Sequence, residues 1–129
     1  MTTVLVADDD PVIRHAVRDI LEDEGYSVLT AQNGSEALHL LRSTPPPLVV
    51  LLDLQMPHLD GAEVLRVVAA NKKLATRNHF ILMTAHTRSL PLGLANLLFR
   101  LHILLLPKPF DVDQVVTLVA DAARMLPAR

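Results

Sequence analysis

Apolar runs of strand length alternate with stretches of helical periodicity along the whole chain. Val4-Leu5-Val6-Ala7 reads as a first strand, cut off by Asp8-Asp9-Asp10. Asp10 followed by Pro11 predicts a helix N-cap with proline at the first helical position. Val12, Ile13, Ala16, Val17, Ile20 and Leu21 give that helix an inner face, and Gly25 ends it. Tyr26 to Thr30 predicts a short second strand, and Asn33-Gly34-Ser35 opens a second helix that runs to Leu41. The Pro45-Pro46-Pro47 run closes it.

Leu48-Val49-Val50-Leu51-Leu52 is apolar without alternation, the mark of a central strand buried on both faces. It ends in Asp53, and a loop containing Pro57 and Gly61 follows. Glu63 to Lys72 predicts a helix, Phe80 to Met83 a fourth strand ending at Thr84, and Ser89 to Leu101 another helix. Ile103 to Leu106 is a fifth strand, stopped by Pro107-Lys108-Pro109, and Asp111 to Met125 is a last amphipathic helix. Strand and helix in this alternation predict an α/β fold: a parallel sheet with helices on both faces, one domain over residues 1–129.

Composition narrows the function classes. A chain of 129 residues can build a core without staples, and that core must be aliphatic, because Trp is absent and Tyr26, Phe80, Phe99 and Phe110 are the whole aromatic set. The net charge of −2 is spread along the chain, unlike the basic patch of a nucleic-acid binder, so no direct contact with nucleic acid is expected. Without cysteine there are neither disulfides nor thiolate metal sites. Met1-Thr2-Thr3 leads straight into the first strand, so no signal peptide is expected. The longest apolar stretch, Leu90 to Leu106, is interrupted by Pro91, Gly93, Asn96, Arg100 and His102 and is too short to span a bilayer. A cytoplasmic protein with no membrane contact is the expectation.

In parallel α/β sheets, ligands bind beyond the carboxyl ends of the strands. Asp8 and Asp9 close strand one, Asp53 closes strand three, Thr84 closes strand four and Lys108 follows strand five. Three carboxylates at one edge repel one another unless a cation intervenes, and an oxygen-only donor set suits a hard ion such as Mg²⁺. Asp53 projects a carboxylate that can act as a nucleophile and form an acyl phosphate. Phosphoryl transfer asks chiefly for positioning and charge neutralisation. The Lys108 ammonium, the Thr84 hydroxyl and the backbone N–H groups after Asp53 and Thr84 are suited to both.

None of these residues is diagnostic singly. Two aspartates at a strand end can be no more than a helix cap, a lone Thr a turn residue, and a lone Lys a solvated one. Asp53 after five apolar residues is harder to dismiss, because an unpaired buried carboxylate is costly. It is the joint pattern, every member at a strand terminus, that points to phosphoryl chemistry. A hydrolase of similar topology fits less well: the chain lacks a Gly-rich phosphate loop ending in Lys-Ser/Thr, and Asp8-Asp9-Asp10 lacks an Asp-x-Asp nucleophile spacing.

Over nearly its whole length the sequence resembles the receiver domains of response regulators in two-component signalling, which are CheY-like. The resemblance rests on Val4-Leu5-Val6-Ala7-Asp8-Asp9-Asp10-Pro11, on Leu51 through Gly61, on Met83-Thr84-Ala85 and on Pro107-Lys108-Pro109-Phe110. It implies a doubly wound, flavodoxin-like sheet of strand order 2-1-3-4-5. It further implies that Asp53 is the phosphoacceptor, that Asp9 binds Mg²⁺ directly while Asp8 helps through water, and that the Gln55 backbone carbonyl is a further ligand. Thr84 and Lys108 would hold the phosphoryl oxygens, the Lys108-Pro109 bond would be cis, and Asp10 would cap the first helix. The phosphoryl donor would be a sensor histidine kinase or a histidine phosphotransfer protein, and Val12, His15 and Asp19 are docking positions. The chain would serve as a signalling switch or phosphorelay intermediate rather than an enzyme. Gln55 and His86 would tune the lifetime of the phosphoryl group. The competing reading is a phosphorylation-independent interaction module of the same fold.

Two departures stand out. Such domains carry Tyr or Phe three residues before the lysine, where this chain has Leu105, so the usual aromatic route to an output is missing. The stretch from Leu90 to Leu106 is mostly apolar, with Arg100 its one fixed charge, and a helix apolar nearly all round must be covered by something. A homodimer or a partner helix on this segment is the expectation.

Overall fold

A computed structural model describes residues 1–85, 90–91 and 93–128. Five strands form one parallel sheet: β1 (Thr3–Ala7), β2 (Ser27–Ala31), β3 (Leu48–Asp53), β4 (His79–Thr84) and β5 (Leu104–Pro107), in the order β2-β1-β3-β4-β5. This is the doubly wound order expected. The reversal falls at β1 and β3, so the two chains that carry Asp8 and Asp53 leave the sheet side by side, with Ala7 paired to Leu52.

Side-chain alternation divides the interior in two. Leu5, Ala7, Val50, Leu52, Phe80 and Leu82 face one core. It is closed by α2 (Gly34–Ser43), α3 (Gly61–Ala69), α4 (Lys72–Arg77) and α5 (Leu94–Arg100). Val4, Val6, Val49, Leu51, Ile81 and Met83 face the other, closed by α1 (Pro11–Asp23) and α6 (Val112–Arg124). Every residue of β3 and β4 is buried, which accounts for their unbroken apolar character.

Local chemistry sets the helix starts. The Asp10 side chain accepts from the Val12 N–H at 2.9 Å, with Pro11 at the first helical position, as expected. Asp60 with Glu63 and Asp111 with Gln114 each form a capping box for α3 and α6. The α3 box moves that helix start two residues ahead of the expected Glu63. The predicted single helix from Glu63 to Lys72 is in fact two, because the Asn71 side chain accepts from the Leu74 N–H and starts α4 afresh. Strand β2 begins at Ser27 rather than Tyr26, and β5 at Leu104 rather than Ile103, following the left-handed His102.

The expectation of an apolar helix needing an outside cover is corrected in large part. Leu94 and Ile103 are buried, and Leu90, Leu97, Leu98, Leu101 and Leu105 pack partly buried onto the first core. Leu106 is buried in the second, with Leu104 against it. Helix α5 is also shorter than predicted, starting at Leu94 after Gly93 in the left-handed region. Of this segment's described large hydrophobic residues only Phe99 is exposed, at 84%. No helix among the described residues is long and apolar enough to cross a membrane.

Candidate functional site

The ends of β1, β3, β4 and β5 converge on a cavity of about 360 Å³ lined by Asp8, Asp9, Asp53, Gln55, Thr84 and Lys108, among others. The six residues singled out in the sequence therefore share one site. Backbone bonds hold their spacing: Asp53 pairs with Met83 and Thr84 with Pro107, and the Lys108 N–H donates to the Thr84 carbonyl at 2.9 Å. The Lys108-Pro109 bond is cis, as the resemblance implied.

The Lys108 ammonium is the hub. Its Nζ lies 3.0 Å from Asp8 Oδ2 and 3.3 Å from Asp53 Oδ1. Asp8 is fully buried, and its other carboxylate oxygen accepts from the Asp10 N–H at 2.9 Å. Asp9 is exposed at the rim. One carboxylate oxygen from each of Asp8, Asp9 and Asp53 lies within 4.8 Å of the others.

That crowding leaves an electrostatic imbalance. Burial and the Asp8 charge push the Asp53 carboxyl up to about 7, against the opposing pull of Lys108 and the Gln55 N–H. For Lys108, burial pulls downward, but the hydrogen bond to Asp8 and the charges of Asp53 and Asp8 outweigh it, so its pKa is raised. One ammonium does not neutralise three clustered carboxylates. The donor set contains only oxygen, without a nitrogen or sulfur ligand, and its chemistry fits a hard divalent ion such as Mg²⁺.

Two features differ from the sequence reading or escaped it. The Leu54 N–H, expected to help cradle a phosphoryl group, donates instead to the Met83 carbonyl at 3.0 Å, and the Gln55 N–H reaches Asp53 Oδ1 at 3.3 Å. Arg14, which the sequence reading passed over, donates from Nη1 to the Asp8 carbonyl at 2.8 Å. It sits one turn beyond the Asp10 cap, a spacing that turns an α1 side chain back toward the strand end. His86, the second expected tuner, lies outside the described residues.

Gly61 completes the local architecture. Its N–H donates to the Leu54 carbonyl at 2.9 Å, and a Cβ there would fall 2.5 Å from the Asp53 carbonyl oxygen. Only glycine lets the start of α3 lie against the backbone that carries Asp53.

A family model for the response regulator receiver domain matches residues 4–120. The chain belongs to that family. Receiver domains are signalling modules of two-component systems, which interact with histidine kinases, rather than enzymes in the ordinary sense. The DNA-binding transcriptional regulator NtrC of Escherichia coli is 36% identical over 120 residues, covering 92% of this chain and 24% of NtrC. The chain spans about a quarter of the length of the curated relatives it matches. Among solved structures, a CheY-like receiver domain protein of Methanospirillum hungatei superposes with a TM-score of 0.82 at 27% identity over 96% of both chains. The response regulator TrrA of Thermotoga maritima, solved in complex with Mg(2+)-BeF, gives 0.77 at 31% identity over 95% of this receiver and 99% of TrrA.

Proposed function

We propose that this receiver accepts a phosphoryl group on Asp53 from a histidine kinase or a histidine phosphotransfer protein, and that residues 1–129 form one such domain. The observation that carries the reading is the Lys108 ammonium bridging Asp8 Oδ2 at 3.0 Å and Asp53 Oδ1 at 3.3 Å in the cavity that Thr84 also lines. An Asp53 oxygen attacks the phosphorus of the donor phosphohistidine, the P–N bond breaks, and its electron pair returns to the imidazole. Lys108 offsets charge on the phosphoryl oxygens, and the Thr84 hydroxyl donates to one of them. Asp8, Asp9, Asp53 and the Gln55 carbonyl would hold Mg²⁺, Asp8 through water. When bound, the ion neutralises phosphoryl oxygen charge. The Mg(2+)-BeF complex of the similar TrrA supports that assignment by analogy.

Gln55 is exposed beside the site, in a position to modulate the water that hydrolyses the acyl phosphate. The Val12, His15 and Asp19 side of α1 serves as a docking surface for the donor; Val12 is 76% exposed. A homodimer or partner contact through the Leu90 to Leu106 segment now rests on Phe99. Sedimentation of wild type and Phe99→Ser, with and without beryllofluoride, tests it; a monomer in every condition removes that part of the reading.

Incubation with Mg²⁺ and acetyl phosphate, followed by mass spectrometry, tests the central assignment. The expected result is a gain of one phosphoryl group that is stable to acid, labile to base, and absent in Asp53→Ala. No gain in wild type, with folding intact, favours a phosphorylation-independent interaction module.

A further inference from the structure

At the opposite end of β4 from Thr84, the structure holds a second polar concavity that phosphoryl transfer does not use. It has a volume of about 850 Å³, within the range of pockets that hold small organic ligands. His79, the first residue of β4, is among the lining residues and is 7% exposed. Neither of its ring nitrogens has a hydrogen-bond partner among the described residues. A neutral imidazole carries one donor and one acceptor, so both are forfeited here, and an unmet buried polar atom in a native fold calls for a physical explanation.

The surroundings specify a sign of charge. Lys72 at the start of α4 and Arg100 at the end of α5 both line the cavity, and neither forms an ion pair with a described residue. His102, held in the left-handed region, lines it too and stands near enough to His79 to depress its basicity, as burial does more strongly. No acidic residue lines the cavity among the described residues. The remaining wall is mostly aliphatic, with Ala69, Ala75, Leu101 and Met125, and includes Thr76, whose hydroxyl donates to the Lys72 carbonyl at 2.8 Å.

The Asn78 side chain is held in place: it accepts from the Leu48 N–H at 2.8 Å and donates to the Leu74 carbonyl at 3.2 Å. It is a rigid wall. Among the described residues, His79 is thus the buried side chain of the cavity with no polar atom bonded, and the exposed Lys72 and Arg100 line the same cavity.

We propose that this concavity is a binding site for a small organic anion, a carboxylate or phosphate monoester with an apolar body. The anionic group would sit between Lys72 and Arg100, the apolar body against Leu101 and Met125. Turning the His79 ring toward the cavity would give its N–H an acceptor on the ligand. A transition-metal ion is the competing occupant for two histidines, but the two neighbouring cations repel it.

The test uses the intact chain, free of divalent ions, observed by NMR of backbone amides and of labelled histidine rings. Phenyl phosphate and benzoate are the probes, with inorganic phosphate as the bare anion and benzyl alcohol as the neutral control. The expected result is saturable shifts at His79, His102 and Arg100 with the two aromatic anions and none with benzyl alcohol. Arg100→Ala, an exposed change that leaves the core alone, weakens binding on the order of tenfold. His79→Leu abolishes the ring response while the domain stays folded. Shifts confined to Asp53 and Lys108, an undiminished response in Arg100→Ala, or saturation by Zn²⁺ with none by any anion would each overturn the proposal.

Discussion

The Lys108 Nζ stands 3.0 Å from Asp8 Oδ2, joining two residues a hundred positions apart in sequence. Asp8 is fully buried and Lys108 is partly buried, its side chain 19% exposed, so the pair ties the end of β1 to the turn after β5 in a place only partly open to solvent. Removing one partner of such a pair strands the other charge. Lys108→Ala is expected to lower the metal-free folding free energy by about 3 kcal/mol. Mg²⁺ should restore part of it by supplying the missing positive charge. Urea unfolding with and without Mg²⁺ measures both effects, and equal destabilisation in the two conditions would contradict the account.

Asp53 makes stability depend on pH in an uncommon direction. Its carboxyl is raised from 3.8 to about 7, so between those values the folded state binds the proton that the unfolded state has released. Metal-free stability from this group therefore falls as pH rises from about 4 to 7, then levels off. Asp53→Asn, which cannot ionise, should gain on wild type across that window by up to about 4 kcal/mol, less whatever Asp8 and Lys108 recover by readjusting. Mg²⁺ prefers the ionised form, so its affinity for wild type should climb over the same window. Thermal melts of both proteins from pH 4 to 8 provide the comparison.

His79 works in the other direction. Burial, and secondarily His102, holds its pKa below the 6.5 of a free imidazole. Below that value the unfolded chain binds a proton that the folded one resists, so stability is lost as pH falls. His79→Leu should remove this acid-side loss and, by eliminating two unmet polar atoms, add about 1–2 kcal/mol at neutral pH. A destabilised His79→Leu with the acid-side slope intact would show that the imidazole has partners after all.

Gly61→Ala tests the coupling of α3 to the phosphoacceptor. The new methyl would meet the Asp53 carbonyl oxygen at 2.5 Å and Leu54 Cα at 2.9 Å, both backbone atoms that cannot swing aside. Destabilisation of about 2–3 kcal/mol is expected, in line with overpacking at a rigid site. Slower phosphorylation by acetyl phosphate should accompany it. Wild-type kinetics would mean that the strand end absorbs the displacement without moving Asp53.

The gathering of Asp8, Asp9, Asp53, Thr84 and Lys108 could be read in advance because each stands where an apolar run stops, whereas the order of the sheet followed only from the resemblance to receiver domains. Where an apolar run stops is a property of the local sequence. Three things could not be read this way. The break at Asn71 depends on a side chain capping Leu74, which competes evenly with a continuous helix until the packing of Leu74 is known. How much of the Leu90 to Leu106 stretch needs a cover could not be read, because hydrophobic residues do not announce which surface covers them; most of it packs on this chain's own cores, and Phe99 stays exposed. Arg14 was missed because its partner is a backbone carbonyl, which leaves no residue-type signature.

The alternation that sends Ile81 and Met83 into one core and Phe80 and Leu82 into the other has a consequence for how such a chain can vary. Exchanging one aliphatic residue for another inside β4 keeps each side chain facing its own core. Deleting a single residue there transposes the two interiors and carries Thr84 off its edge. The fold is thus forgiving of spelling and intolerant of length, and diversification of this molecule is channelled into its loops and helix faces.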